Sequence, residues 1–401
     1  MRVLMINCVC GVKSTGRICT DLAEELQKRG HTVRIAYGRD AVPRQYAPIS
    51  YKIGTPLDTA LHGVRARLGD AAGWGSRAAT ERFLAWVREY DPDMIHLHNL
   101  HGYYINIELL FRYLRQSGKP VIWTLHDCWP FTGHCAHFDA AGCGRWKTQC
   151  GSCPQRGTYP ASLFLDRSAE NFRRKRAAFT GLPRMTLVAP SAWLAGRVRD
   201  SFLGEYPVRV IPNGIDLDRF RPVPPLPEME ALRGKKVVLG VASAWSGHKG
   251  LDTFLRLACA LDENYRVVLV GLTRRQMARL PRGVTGAPCT DSPEALAAWY
   301  SRADVYVNAS LEETMGMTSV EAAACGAPIL CLNATALPEI AQALGGTVVE
   351  PGDFPALCRA ARALAAGPRP GRDPRVERYS RQAMLDRYLK LYLPGEAREA
   401  P

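Results

Sequence analysis

The sequence predicts an α/β protein built as two successive domains, each around a parallel sheet, and three observations carry that reading. The chain has 401 residues, too many for one ordinary hydrophobic core and enough for two domains of roughly 200 residues each. Short β-rich runs alternate with segments of helical period, the pattern of a parallel sheet covered by helices. The alternation halts at a proline-rich stretch, "RPVPPLPE", just after which it starts afresh.

"RVLMIN" (2–7) is the first strand. In the segment that follows, Ile18, Leu22 and Leu26 recur at helical spacing, and Gly30 caps that helix before the strand "HTVRIAY". The rhythm continues through "MIHLH" (94–98), a helical "INIELLFRYLRQSG", "VIWTL" (121–125), "MTLVAP" (185–190) and a helical "WLAGRVRDSFL". "KKVVLGVAS" (235–243) opens the second series, which runs through helices near 250–262 and 293–301 and the strands "YRVVLVG", "DVYVNAS", "APILCLN" and "GTVVE". The expected division is residues 1–205 for the first domain, 206–378 for the second and 379–401 for a C-terminal helix and tail. Met384, Tyr388 and Leu389 give that helix one apolar face, able to pack on either domain.

With 47% hydrophobic and 22% charged residues, the composition is that of a globular protein, and no stretch approaches the ~20 apolar residues of a membrane span. Asn7 interrupts the N-terminal apolar run and no small-residue cleavage site follows, so the expectation is a cytoplasmic chain with reduced thiols. Its 52 Lys and Arg against 38 Asp and Glu leave a net charge of +14. That excess favours an anionic partner: phosphate groups, an acidic membrane surface or nucleic acid. A merely solvated basic face is the plain alternative.

In open α/β sheets ligands gather outside the carboxyl ends of the strands, so the loops after strands are the places to search. In "GVKSTGRI", Gly11 and Gly16 flank a basic loop entering a helix N-terminus, where free backbone N–H groups bind anions. It lacks the GxGxxG spacing, and a tight turn competes with that reading. In "TLHDCWPFTGH", His126 and Asp127 stand where a strand gives way to a loop, as a functional polar pair or as structural groups. The earlier "HLHNLHGYY" puts His96 and His98 on one strand face with His101 beyond, read as lining rather than as a metal triad.

Lys249, in "ASAWSGHKGLDTF", stands at the start of a helix, where a cation opposes the helix dipole unless an anion binds there. In "LEETMGMTSVEAAACGAP", Glu313 and Glu321 on one straight helix would lie about 12 Å apart at 1.5 Å per residue. The paired carboxylates of a glycosidase need roughly 5 to 9.5 Å. Gly316 instead predicts Glu313 in the loop and Glu321 on the helix, meeting different parts of one extended ligand. A solvated helix with an acidic first turn is the competing reading.

Together these segments resemble glycosyltransferase family 4, the group 1 retaining nucleotide-sugar transferases. The likeness spans nearly the whole chain through "STGRICTDLAEELQKRGHTV", "VIPNGIDLDRFRP", "HKGLDTFL", "YSRADVYVNAS" and "EETMGMTSVEAAACGAPI". Most specific is the arrangement of Glu313, seven residues and Glu321, followed by "CGAP". "HLHNLHGYYIN" and the cysteine-rich segment after it look closest to the branch that builds bacterial surface polysaccharides.

The resemblance implies the glycosyltransferase-B fold: two facing Rossmann-like domains with a cleft between them and a C-terminal helix that can cross back to the first. It also implies roles. Glu313 would touch donor-sugar hydroxyls, Lys249 would neutralise the diphosphate leaving group, and His126 would face the donor sugar near the reacting carbon. Backbone N–H groups around Met315, Gly316 and Met317 would meet sugar or phosphate, Glu321 would accept from the ribose hydroxyls, and Gly16 would permit close approach to the diphosphate. Ala244 departs from the family, many of whose members carry an arginine there; His248 or Arg17 are the candidate substitutes for that diphosphate contact. No catalytic metal is expected, because the lysine stands in its place.

Cys135, Cys143, Cys150 and Cys153 crowd one segment, with Cys128 upstream. The Cys150–Cys153 spacing suits zinc, whereas Cys135 and Cys143 are farther apart than a usual ligand pair. A structural zinc, a disulfide in an oxidising compartment and ordinary reduced thiols all remain open. Four thiolates would leave zinc no position for catalysis, so the cluster reads as a staple for an insert near 128–160. The expected partners are a nucleotide diphosphate sugar, a glycan or lipid-linked acceptor and an anionic membrane surface at the inner face of the cell membrane, without nucleic acid. A nucleotide-sugar epimerase or phosphorylase on the same scaffold is one alternative. A zinc-dependent nucleic-acid-binding protein is another, but it leaves the strand-end loops without a purpose.

Overall fold

The computed structural model describes residues 1–393. Its contacts separate two compact units, Met1–Ile211 together with residues 385–393, and Pro212–Met384. The first contains strands β1 (Arg2–Asn7), β2 (Thr32–Tyr37), β3 (Ser50–Lys52), β4 (Met94–Leu97), β5 (Val121–Thr124), β6 (Met185–Ala189) and β7 (Val208–Val210). They form one parallel sheet in the order β3-β2-β1-β4-β5-β6-β7. Every residue of β4 and β5 is buried, as expected of central parallel strands covered on both faces.

The second unit holds β8 (Lys236–Val241), β9 (Tyr265–Val270), β10 (Val284–Ala287), β11 (Val305–Asn308), β12 (Ile329–Leu332) and β13 (Thr347–Val349), ordered β10-β9-β8-β11-β12-β13 and again parallel. In each sheet the strand order reverses once, between β1 and β4 and between β8 and β11. Loops on either side of such a switch diverge and leave a crevice at the strands' carboxyl ends.

Residues 206–211, placed by the sequence reading in the second domain, belong with the first unit, because β7 pairs in parallel with β6 and closes that sheet's edge. Helices Pro56–Gly69, Arg77–Tyr90 and Ser168–Phe179 lie where the sequence reading assigns no element. The C-terminal helix is Arg381–Tyr392. Met384, Tyr388 and Leu389 are all buried, and from Leu385 on the helix joins the first unit. There the Tyr388 hydroxyl bonds Thr124 Oγ1 at 2.9 Å, and the Tyr392 hydroxyl bonds His96 Nδ1. Among the described residues no helix is long and apolar enough to cross a membrane.

Candidate active site

In the second unit the switch point brings two distant loops together. β8 runs into the loop holding Lys249, and its neighbour β11 runs into the loop holding Glu313. The loops are tied by Leu311 N–H donating to the His248 carbonyl at 2.9 Å. Lys249 Nζ then reaches Glu313 Oε1 at 2.5 Å across 64 positions of sequence. Gly250 makes this approach possible: its φ is +76°, and a Cβ there would fall 2.5 Å from the Ala309 side chain and carbonyl oxygen. Lys249 lies in a short 3-10 turn, Gly247–Lys249, so it precedes the helix Leu251–Ala260 by one glycine.

The neighbouring strand β12 supplies the next support. Thr335, in the loop after it, accepts from the Glu313 backbone N–H at 2.9 Å. Glu313 is in the loop, whereas Glu321 is on helix Met317–Ala324, whose N-cap is Gly316 with no side-chain capping bond. Ser319 N–H turns back to the Gly316 carbonyl at 3.0 Å, and the Met317 and Thr318 N–H groups before it have no side-chain cap beside Glu313, a favourable place for an anion. Met315 is buried in the apolar core, so only its backbone is available to a ligand.

Glu321 Oε2 accepts from the Tyr300 hydroxyl at 2.9 Å. Burial and the nearby carboxylate push that phenol well above its ordinary range, which keeps it a donor. The sequence reading quotes Tyr300 at the head of "YSRADVYVNAS" and gives it no role, because only the fold brings its helix beside the one bearing Glu321. His248, half exposed, lies 3.7 Å from Glu312, and Ala244 is exposed in the same loop.

In the first unit the strand-end histidines interlock. His98, just after β4, and His126, just after β5, place Nδ1 and Nε2 3.1 Å apart. Burial holds His126 down to about 4 and His96 down to about 3, so both imidazoles are neutral at pH 7. His101 Nε2 contacts Asp127 Oδ2 at 2.7 Å. Burial would raise the Asp127 carboxyl, but His101, His137 and the Trp129 backbone N–H together hold the group at about 2.

Helix Lys13–Lys28 opens at Val12 without a side-chain cap, leaving its first N–H groups open too. Gly16 has a packing reason of its own, since a Cβ there would stand 3.1 Å from the Gly11 nitrogen and from Val9 Cγ2. Arg17 is exposed, and Lys13 is engaged with Asp40 at 2.7 Å. Asn7 organises this corner. Fully buried at the end of β1, it donates to the Val9 carbonyl at 2.8 Å and accepts from Asn99 N–H at 3.2 Å. The sequence reading treats Asn7 only as a break in an apolar run; a polar residue at a strand's carboxyl end is the signal that marks it.

Cys135, Cys143, Cys150 and Cys153 line one small cavity with His134, Phe138 and Trp146. Among the described residues, none of the thirteen cysteines is in a disulfide. A hydrogen bond from the Cys135 thiol pulls Cys153 below the ordinary thiol range, while burial raises Cys150 to about 11. Among the described residues no three His, Cys, Asp or Glu side chains are arranged to hold a metal ion. The insert has an aromatic core of its own, with Phe138 stacked on Trp146 at 4.7 Å and Phe131 tilted against it at 5.4 Å. Lys175 is buried behind it, donating to the Trp129 and Thr132 carbonyls at 2.7 and 3.0 Å.

Two doubly wound parallel sheets of seven and six strands are those of the glycosyltransferase-B fold. In fold the chain is similar to the sucrose-phosphate synthase (tll1590) of Thermosynechococcus elongatus, with a TM-score of 0.70 and 19% identity over 99% of this chain and 100% of that one. It is similar also to Anabaena Alr3699/HepE, solved in complex with UDP and glucose, with a TM-score of 0.67 and 13% identity over 98% and 100% of the two chains. The model of Glycosyltransferase Family 4 matches residues 15–219, and that of Glycosyl transferases group 1 matches residues 235–366. The chain belongs to glycosyltransferase family 4 and is a nucleotide-sugar glycosyltransferase of group 1. A candidate colanic acid biosynthesis glycosyl transferase of Escherichia coli (strain K12), WcaC, is 27% identical to it over 366 residues, 87% of each chain.

Proposed function

We propose that the chain moves a sugar from a nucleoside diphosphate to a glycan or lipid-linked acceptor in surface-polysaccharide synthesis, with retention at the anomeric carbon. The Lys249–Glu313 pair, 2.5 Å apart at the switch point of the second sheet and beside the open start of helix Met317–Ala324, carries this reading. The likeness to WcaC supports the surface-polysaccharide assignment, and the fold shared with a protein solved with UDP makes uridine diphosphate the first nucleotide to try.

In this reading the bond from the anomeric carbon to the phosphate oxygen breaks as the acceptor oxygen bonds that carbon from the same face. The acceptor's proton passes to the departing phosphate oxygen. The chain's task is to stabilise the charge that develops, with groups already in position. Lys249 meets the leaving diphosphate together with the backbone N–H groups around Met315, Gly316 and Met317. Glu313 accepts from the sugar hydroxyls, and Glu321, oriented by Tyr300, accepts from the ribose. Gly16 and Arg17 are assigned to the diphosphate and His126 to the donor sugar by the family likeness. A neutral His126 gives or takes a hydrogen bond without adding charge. Lys249 supplies the neutralising charge, so no catalytic metal enters the scheme. The setting is cytoplasmic, at the anionic inner face of the membrane, a surface that suits the net charge of +14.

The test is a panel of nucleotide sugars with glycan and lipid-linked acceptors, read as nucleotide release and as the configuration of the product. Release with retained configuration is expected. Sugar interconversion without an acceptor, or an inverted product, overturns the reading. A matching nucleoside diphosphate at 100 times its Kd is expected to stabilise the fold by about 2.7 kcal/mol, visible as a raised Tm.

The finer reading of the cysteines is a structural zinc on Cys135, Cys143, Cys150 and Cys153. Support comes from their shared cavity and from Gly133 N–H donating to Cys150 Sγ at 3.2 Å. The sulfurs would have to close on that cavity to reach one ion. Elemental analysis of the reduced, active protein is expected to find one zinc per chain, removed by alkylating the four thiols; a zinc-free active protein ends this reading.

A further inference from the structure

Among the described residues nine large apolar side chains are exposed, and seven of them fall in two segments of the first unit that touch each other. Helix Pro56–Gly69 presents Leu57, Leu61, Val64 and Leu68 at steps of four, three and four, one stripe along the helix. On its other side that helix buries His62 and Ala66, so the stripe is the face turned away from the core. Beside it, Leu163, Phe164 and Leu165 stand out in succession, Phe164 being 67% exposed. A hydrogen bond from Leu163 N–H to the Arg67 carbonyl at 2.7 Å holds this segment against the helix.

Around the two segments exposed arginines outnumber the acids, which are Asp58 and Asp166. Arg65, Arg67, Arg156 and Arg167 are exposed, and Arg156 Nη1 donates to the Phe164 carbonyl at 3.2 Å, beside the apolar tip. The nearby acids are occupied by backbone donors: Asp58 caps the helix through Thr55, and Asp166 accepts from Cys153 and Ser168 N–H groups. An amphipathic helix with an apolar stripe flanked by arginines is built to lie in a bilayer interface, its apolar side chains among the acyl chains and its cations among anionic headgroups. A second copy of the chain suits the face poorly, because a two-fold contact would bring the same arginines against one another.

We infer that the stripe of helix Pro56–Gly69 and the tip at residues 163–165 form one surface that docks this chain on an anionic phospholipid bilayer. The surface deepens the reading of a lipid-linked acceptor and gives it a route. Tyr159, in the same segment as the tip, contacts His101 Nδ1 through its hydroxyl at 3.0 Å, and His101 bonds Asp127 next to His126. Docking there sets the carboxyl ends of β4 and β5 near the headgroups that carry such an acceptor.

Flotation of the whole chain with vesicles of phosphatidylglycerol and phosphatidylcholine, and with phosphatidylcholine alone, tests this. The wild type is expected to float with the anionic vesicles and to keep part of that binding in high salt. Each apolar residue lost from the surface is expected to weaken partitioning by roughly tenfold, so Leu61→Glu with Phe164→Glu releases the chain into solution. Both sites are exposed, so Tm stays unchanged; Leu57→Gln with Leu68→Gln provides a milder second variant. Vesicle binding that survives both pairs overturns the proposal, as does binding abolished by salt alone. A wild-type dimer that the variants convert to monomer assigns the face to a second copy and overturns it too. No nucleotide sugar is present in this assay, so its failure leaves the transferase reading standing, and failure of turnover leaves the docking result standing.

Discussion

Replacing Lys249 by alanine is expected to lower kcat/KM by about two to three orders of magnitude, the usual cost of removing one preorganised group that meets developing charge. Lys249 holds Glu313 at 2.5 Å. Through Glu313 its ammonium stands beside the loop that opens helix Met317–Ala324. Without it a donor diphosphate would face the Glu313 carboxylate unscreened, so the affinity for a nucleoside diphosphate should fall along with kcat. The fold should barely notice. The Lys249 and Glu313 side chains are 35% and 21% exposed, and an ion pair this open to water contributes ~1 kcal/mol or less. Steady-state kinetics, nucleotide titration and Tm measured on one preparation separate these outcomes. Unchanged turnover in a folded Lys249→Ala protein removes the lysine from the mechanism.

Replacing Glu313 by glutamine is expected to lower kcat by about a hundredfold with the opposite effect on nucleotide binding. Glutamine keeps the size of the side chain and one accepting oxygen but loses the charge that orients sugar hydroxyls and attracts Lys249. Freed from that carboxylate, Lys249 should bind a nucleoside diphosphate as well as before or better. The two substitutions therefore move nucleotide affinity in opposite directions while both slow turnover. Because the residues touch, the double variant should fall short of the sum of the single losses. Additive losses would mean that the pair does not act as a unit, and a fully active Glu313→Gln protein would exclude the carboxylate from catalysis.

How much of this site the sequence showed differs from one residue to the next. Gly316 placed Glu313 in a loop and Glu321 on a helix because a glycine at a helix start is a local signal, and Met317–Ala324 follows from it directly. That Lys249 reaches Glu313 is not local. It depends on β8 and β11 being neighbours although β9 and β10 lie between them in the chain. His98 meets His126 for the same reason, through the adjacency of β4 and β5. Tyr392 and His96 come together across 296 positions. Spacing along the chain carries no information about such pairs.

The sequence by itself determined the two α/β halves, the strand-end location of the polar groups and the family pattern around Glu313 and Glu321. Each of these rests on periodicity, punctuation by glycine and proline, or a short motif, and such signals act within a turn or a few residues. Tertiary structure alone decided which loops share a crevice, which donor holds Glu321, and which helix faces remain uncovered. Leu57, Leu61, Val64 and Leu68 have the period of a core-facing stripe, and only the absence, among the described residues, of a packed neighbour over them, with Leu57 left 66% exposed, turns that stripe outward. The physical reason is that burial belongs to the partner surface as much as to the helix. A sequence pattern fixes which side of a helix is apolar and leaves to the fold what covers it.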